Sequence, residues 1–350
     1  MTKEVNFDFF RVHYISNAKK DITHMQTLPT GRKVRKWFLA NMFRQFADMA
    51  ELTPFMRKLR KKTDIIRDVP YRPAGAKAHL LDIYRPKNRT GPLPVLIYLH
   101  GGGFTLCSKE THRGVALLFA HFGFLVCNIN YRLAPQYRYP AALEDACHAY
   151  KWVADHAASY GGDSRNLSLA GESAGANLAL GLIIAACFQR PEPFVGLVRE
   201  TGVRPRSGQI IAGLLQVSNP ERFSRMRRAK SGRMDDLSEG ILRDVAKAYL
   251  GKKHQQHETE NALSDPLVVL ETAGKPDVPL PPIFAAVGTA DILYDDTKRL
   301  ENALRSGNHP AAVHYYPDEP HVFHFMHWKK NTRRFWMDCK VFLDQYVLKV

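Results

Sequence analysis

The sequence has little with which to hold a metal, a nucleotide or a membrane. No HExxH, no P-loop and no GxGxxG following a strand occurs in its 350 residues, which removes the usual signatures of zinc peptidases, NTPases and dinucleotide enzymes. The five cysteines, Cys107, Cys127, Cys147, Cys187 and Cys339, are odd in number, widely spaced and free of any CxxC pair. That argues against a disulfide framework or a zinc site and predicts reduced thiols in the cytoplasm. Long apolar runs are missing: the most apolar stretch, 176–188, is too short to span a bilayer. Residues 1–10 carry Glu4 and Asp8 and lack the apolar centre of a secretory signal. Acidic charge is scarce too, with 34 Asp and Glu against 50 Lys and Arg and a net charge of +16. The excess is local: residues 1–62 carry +9 and residues 199–233 carry +7, so the remainder is neutral as a whole. Charge so placed predicts either an anionic substrate or membrane surface near these segments, or only a well-solvated face. Nothing beyond charge suggests nucleic acid, and no such partner is expected.

Apolar residues make up 45% of the chain, enough for one large core. From residue 63 onward short apolar strands alternate with amphipathic helices, the pattern of an α/β protein whose mostly parallel sheet is covered on both faces. Strands are expected at 65–69, 79–84, 95–99, 124–130, 167–170, 209–217, 283–287 and 313–316. Helices are expected at about 140–160, 174–188, 295–306 and 332–348. Two stretches break the rhythm. Residues 1–62 are basic, aromatic and helix-like, and 218–262 interrupts two strands with one helix at 237–250. Insertions of this kind commonly cover the carboxyl ends of the strands, where ligands bind. Both are therefore expected to form a two-part helical cap on a catalytic domain of 63–350.

The strongest chemical signal is Gly171-Glu172-Ser173-Ala174-Gly175, a GxSxG match between an expected strand and an expected helix. A nucleophile on so sharp a turn needs small neighbours, and the turn lifts its hydroxyl above the sheet. It also sets the Ala174 N–H at a helix N-terminus, facing any developing oxyanion. Alone, the pentapeptide also fits a glycine-rich turn with an exposed serine, the lesser of the two readings. The second signal is His100-Gly101-Gly102-Gly103-Phe104 after the 95–99 strand. Three adjacent glycines leave amides unobstructed, and a phosphate loop would instead need Lys and Ser or Thr after them.

Together with Tyr131-Arg132-Leu133-Ala134-Pro135, Tyr139-Pro140-Ala141-Ala142, the longer Gly171-to-Asn177 string GESAGAN, Asp291-Ile292-Leu293-Tyr294-Asp295-Asp296 and His321-Val322-Phe323, these motifs resemble the hormone-sensitive lipase-like esterases, a branch of the α/β-hydrolases. The resemblance covers about 63–350. It departs at Gln136, where the family usually has a non-catalytic Glu. It implies an α/β-hydrolase fold and a triad in the chain order Ser173, Asp291, His321. Ser173 would attack, His321 would relay the proton, and Asp291 would orient the imidazole. Gly101, Gly102 and Ala174 would form the oxyanion hole, with no cofactor or metal required. The implied substrates are short- to medium-chain esters; amides, acetylated sugars and a non-catalytic ligand-binding role remain alternatives. Asp295 and Asp296 are rivals of Asp291 but fall at a helix start, while His314, His324 and His327 are rivals of His321. Glu172 reads as structural support beside the nucleophile.

Overall fold

A computed structural model describes residues 53–87, 89–223, 236–251 and 262–349. Its centre is an eight-stranded sheet in the order β1-β2-β4-β3-β5-β6-β7-β8. The strands are β1 (Thr63–Pro70), β2 (Leu80–Pro86), β3 (Leu93–Leu99), β4 (Leu125–Ile129), β5 (Gly162–Glu172), β6 (Ser207–Ile211), β7 (Ile283–Gly288) and β8 (Ala311–Tyr316). Strands β1 and β2 pair antiparallel with each other, and β2 with β4. All remaining pairings are parallel. Every residue of β4, β6 and β7 is buried, which is why these segments read as unbroken apolar runs rather than alternating ones.

The helices are α1 (Pro54–Lys61), α2 (Arg113–Phe122), α3 (Ala141–His156), α4 (Ala174–Cys187), the single turn α5 (Gly196–Arg199), α6 (Asp236–Leu250), α7 (Pro266–Thr272), α8 (Tyr294–Ser306) and α9 (Lys330–Leu343). Two apolar clusters cover the two faces of the sheet. One gathers α3 and α4 residues such as Leu143, Tyr150, Leu180 and Ile183. The other gathers Met56 and Leu59 of α1, Phe119 of α2 and Phe335, Trp336 and Phe342 of α9. Helix α4 is buried along nearly its whole length, as expected of an Ala- and Leu-rich helix packed between sheet and neighbours.

Two expectations need correction. The 209–217 strand ends at Ile211: Ala212 turns with a positive φ of 43°, and the apolar residues beyond it form a buried loop. That loop satisfies its backbone elsewhere, with Leu214 N–H on Ser173 O at 3.1 Å and Leu215 N–H on Asp296 at 2.9 Å. The final helix leaves α geometry at Leu343, and Asp344–Leu348 forms a π turn. Helix α2 was not anticipated, because its six consecutive buried residues, 115–120, show no polar face to set a period.

Most of the expected 1–62 cap segment lies outside the described residues, as do 224–235 and 252–261 of the second. The described remainder of the first, α1, joins the apolar cluster of α2 and α9 on one face of the sheet. Within the described part of the second, α6 reaches the glycine loop after β3. Tyr249 stacks on Phe104 at 3.7 Å between ring centroids, and Tyr139 N–H bonds Tyr249 O at 2.9 Å.

Candidate active site

Strands β5, β7 and β8 run parallel, so the loops after all three emerge at one end of the sheet. Ser173 stands between β5 and α4 with φ 54° and ψ −117°, a region that strains any residue with a side chain. Backbone bonds on both sides hold that strain: Ser173 N–H on Ile211 O at 3.0 Å and Leu214 N–H on Ser173 O at 3.1 Å. Gly175 permits the turn, since a Cβ there would collide with the carbonyl oxygens of Leu99 and His100.

Asp291 and His321 lie on the loops after β7 and β8. His321 Nε2 is 3.1 Å from Ser173 Oγ, and His321 Nδ1 is 2.8 and 3.0 Å from the two Asp291 oxygens. Asp291 is buried, and the Leu293 N–H fixes one of its oxygens at 2.8 Å. Burial alone would lower the His321 pKa, but the adjacent Asp291 carboxylate outweighs it, and the net shift is upward. Serine, histidine and aspartate thus form one continuous hydrogen-bonded chain in which Nδ1–H faces the acid and Nε2 faces the hydroxyl.

The rival residues fall elsewhere. Asp296 is fully buried and holds Arg222 through bonds of 2.7 and 2.8 Å, while also accepting the Leu215 and Gln216 amides. It stands in the first turn of α8, as the sequence suggests, and also anchors the loop after β6. Arg222, counted among the basic excess, is therefore an interior cation. His324 is completely buried against Phe325, Phe335 and Trp336. Burial pushes its pKa down to about 3, and its ring nitrogens find no partner among the described residues. His314 is on β8, near Asp338 at 3.7 Å.

One expected oxyanion donor is otherwise engaged. The Gly101 N–H donates to the carboxylate of Glu172; among the described residues the amides of Gly102 and Gly103 have no such partner. The Ala174 N–H opens α4, where no earlier turn supplies an acceptor. Helix α6 closes over this loop: a Cβ on Gly103 would fall 2.7 Å from Val245 Cγ2. Beneath the loop, His100 stacks on Tyr131 at 4.2 Å, and Tyr131 Oη donates to His100 O at 2.6 Å. Burial and the neighbouring His112 push the His100 pKa down to about 4, so it stays neutral.

Sequence reasoning did not single out His112. Its Nε2 is 2.6 Å from Glu172, and that carboxylate also receives the Tyr98 hydroxyl. Burial would raise the Glu172 pKa, yet His112 and these donors bring it below the ordinary value. Nothing in Thr111-His112-Arg113 marks the residue. The signal that was available is indirect: a carboxylate beside a buried nucleophile requires buried donors of its own. Among the described residues no His, Cys, Asp and Glu cluster is arranged to hold a metal, and no helix is long and apolar enough to cross a membrane.

Such a site, a strained serine at a strand-to-helix elbow with a histidine and an acid from two later loops, defines a class of hydrolase by its geometry. Residues 96–325 match the model of the alpha/beta hydrolase fold family. The versiconal hemiacetal acetate esterase of Dothistroma septosporum is 30% identical over 243 residues, covering 69% of this chain and 70% of that one. An acetyl esterase of Salmonella schwarzengrund is 31% identical over 231 residues, 65% of either chain. The chain thus spans about two thirds of these relatives' length. Among solved structures, a hyperthermophilic esterase from the archaeon Pyrobaculum calidifontis shares the fold, with a TM-score of 0.67 at 24% identity over 89% of this chain and 94% of its own. The chain belongs to the alpha/beta hydrolase fold family and, within it, to the hormone-sensitive lipase-like esterases that its motifs resemble.

Proposed function

We propose that this protein hydrolyses short- to medium-chain carboxylic esters through an acyl-enzyme on Ser173. His321 Nε2 takes the Ser173 proton as Oγ attacks the ester carbonyl, and the same nitrogen then protonates the departing alkoxide. Water, deprotonated by His321 in turn, releases the acid. Asp291 holds the imidazole in the Nδ1–H tautomer and stabilises its cation during both transfers. The amides of Gly102 and Ala174, with Gly103 in place of the engaged Gly101, are the donors for the tetrahedral oxyanion. The carrying observation is the bonded chain from Ser173 Oγ through both His321 nitrogens to Asp291. The short-chain preference draws on the two acetate esterases among the relatives. It also draws on α6, whose Val245 crowds the glycine loop.

A panel of p-nitrophenyl esters from acetate to palmitate tests both parts. Turnover should be greatest at the short end. Ser173→Ala should lose it by on the order of a millionfold while remaining folded. Near-normal turnover in that variant would remove Ser173 as the nucleophile, and a palmitate optimum would overturn the chain-length reading.

A further inference from the structure

We propose that Glu172 and His112 form a buried positioning pair that holds the glycine loop in the geometry an oxyanion requires. The inference rests on the reading of Ser173 as nucleophile and extends it to two residues that touch neither the serine hydroxyl nor the imidazole of His321.

The loop after β3 and the elbow after β5 meet back to back. Glu172, the last residue of β5, is 1% exposed and sends its side chain under the loop rather than toward solvent. One carboxylate oxygen receives the Gly101 N–H and His112 Nε2, and the other receives the Tyr98 hydroxyl. Gly101 is where it is because of this contact: a Cβ there would stand 2.5 Å from the same oxygen. His112, 5% exposed, is itself fixed from behind, with Nδ1 2.7 Å from Thr111 Oγ1 and 3.3 Å from Ser108 O. Thr111 closes its own turn through Ser108, accepting from the Ser108 N–H at 3.0 Å and donating to its carbonyl at 2.8 Å. A continuous hydrogen-bonded path therefore runs from the 108–111 turn through His112 and Glu172 to the first amide of the loop. The next two residues, Gly102 and Gly103, have positive φ of 102° and 58°. Three glycines in succession have little conformational preference of their own. Anchoring the first amide from below removes that freedom before substrate arrives, which is the preorganisation on which oxyanion stabilisation depends. A buried carboxylate also requires a partner if it is to stay ionised, and His112 is that partner.

Two amides of different length test the pair. In His112→Gln the side-chain nitrogen reaches the position of Nε2 and can donate to Glu172. In His112→Asn it stops a carbon short, with the same polarity. For p-nitrophenyl acetate, His112→Asn should lower kcat/KM on the order of a hundredfold, the lower end of what loss of an oxyanion donor costs. His112→Gln should recover most of that loss. The inhibition constant of an ether of the same size, which has no carbonyl and forms no oxyanion, should be unchanged in both. Equal activity in the two variants, high or low, overturns the proposal, as does a matching loss of ether binding. Should His112→Asn not fold, Glu172→Gln tests the pair from its other side: it keeps volume and an acceptor but loses charge, and an undiminished kcat/KM would sink the pair. Ser173→Ala, assayed alongside, separates the two levels, because its inactivity sustains the nucleophile whatever His112 does.

Discussion

At the scale of single residues, the imidazole of His321 ties structure to a measurable titration. It works as a base only when neutral, and the Asp291 carboxylate favours its charged form strongly enough to raise its pKa from 6.5 despite burial. The sign follows directly. As pH falls through that raised pKa the base is lost, so the acid limb of kcat/KM should lie above pH 6.5 rather than at or below it. In Asp291→Asn the force holding the limb up is gone and the tautomer is no longer fixed. Activity should fall on the order of ten-thousandfold, and the limb of what remains should move to lower pH. A profile of kcat/KM from about pH 5 to 9 in both proteins measures this, and an unmoved limb would remove Asp291 as the partner of the titrating group. His324 should give no such limb, since burial keeps it neutral throughout that range.

Elements explain why some of this was legible in the sequence and some was not. Strands β3, β7 and the buried second half of β5 announce themselves because burial on both faces leaves mostly apolar residues, and their last residues lead straight into HGGGF, GESAG and the Asp291 loop. The overrun of β6 is the same signal misread: Leu214, Leu215 and Val217 are as buried as a strand, but their amides go to Ser173 and to two aspartates, Asp296 and Asp265. No local pattern shows that exchange, because the partners lie far away in the chain. The occupation of the Gly101 amide is hidden for the same reason. Helix α6 offers a sharp test of how an element is held. Tyr249 stacks on Phe104, yet its buried hydroxyl has no partner among the described residues. Tyr249→Phe keeps the stack and removes the orphan, so stability should hold or rise by about 1 kcal/mol with activity intact. Tyr249→Ala empties the site and should cost about 3–5 kcal/mol. Urea titration followed by ester assay distinguishes them, and a Phe variant as damaged as the Ala variant would mean that the hydroxyl, not the ring, secures the helix.

For the whole molecule, the positions of charge along the sheet decide what the basic excess does to catalysis. Lys62 and His121 line one hollow together with Leu59, Pro86 and Arg89. That hollow lies where β2 ends, and the antiparallel register with β4 makes this the amino end of the parallel strands. Arg57, Lys58 and Lys61 gather with Lys62 along α1. Ser173 stands at the carboxyl end. The five residues of β4 alone separate the two ends by roughly 13 Å at the usual rise, which exceeds the ~10 Å screening length at 0.1 M salt. At that separation Lys62 is expected to attract an anionic ester to the nucleophile only weakly at physiological salt. For this end of α1 the distance argues against a basic entrance, which the sequence alone leaves open; most of residues 1–62 lies outside the described residues. Replacing Lys58, Arg60, Lys61 and Lys62 together with Gln should leave kcat/KM for neutral and anionic esters unchanged between about 0.1 and 0.3 M salt. Only below about 0.01 M, where screening extends to some 30 Å, should the anionic ester lose rate. A flattened salt profile at physiological strength would instead show that the field of α1 reaches the site, as the distribution of charge along the chain suggests.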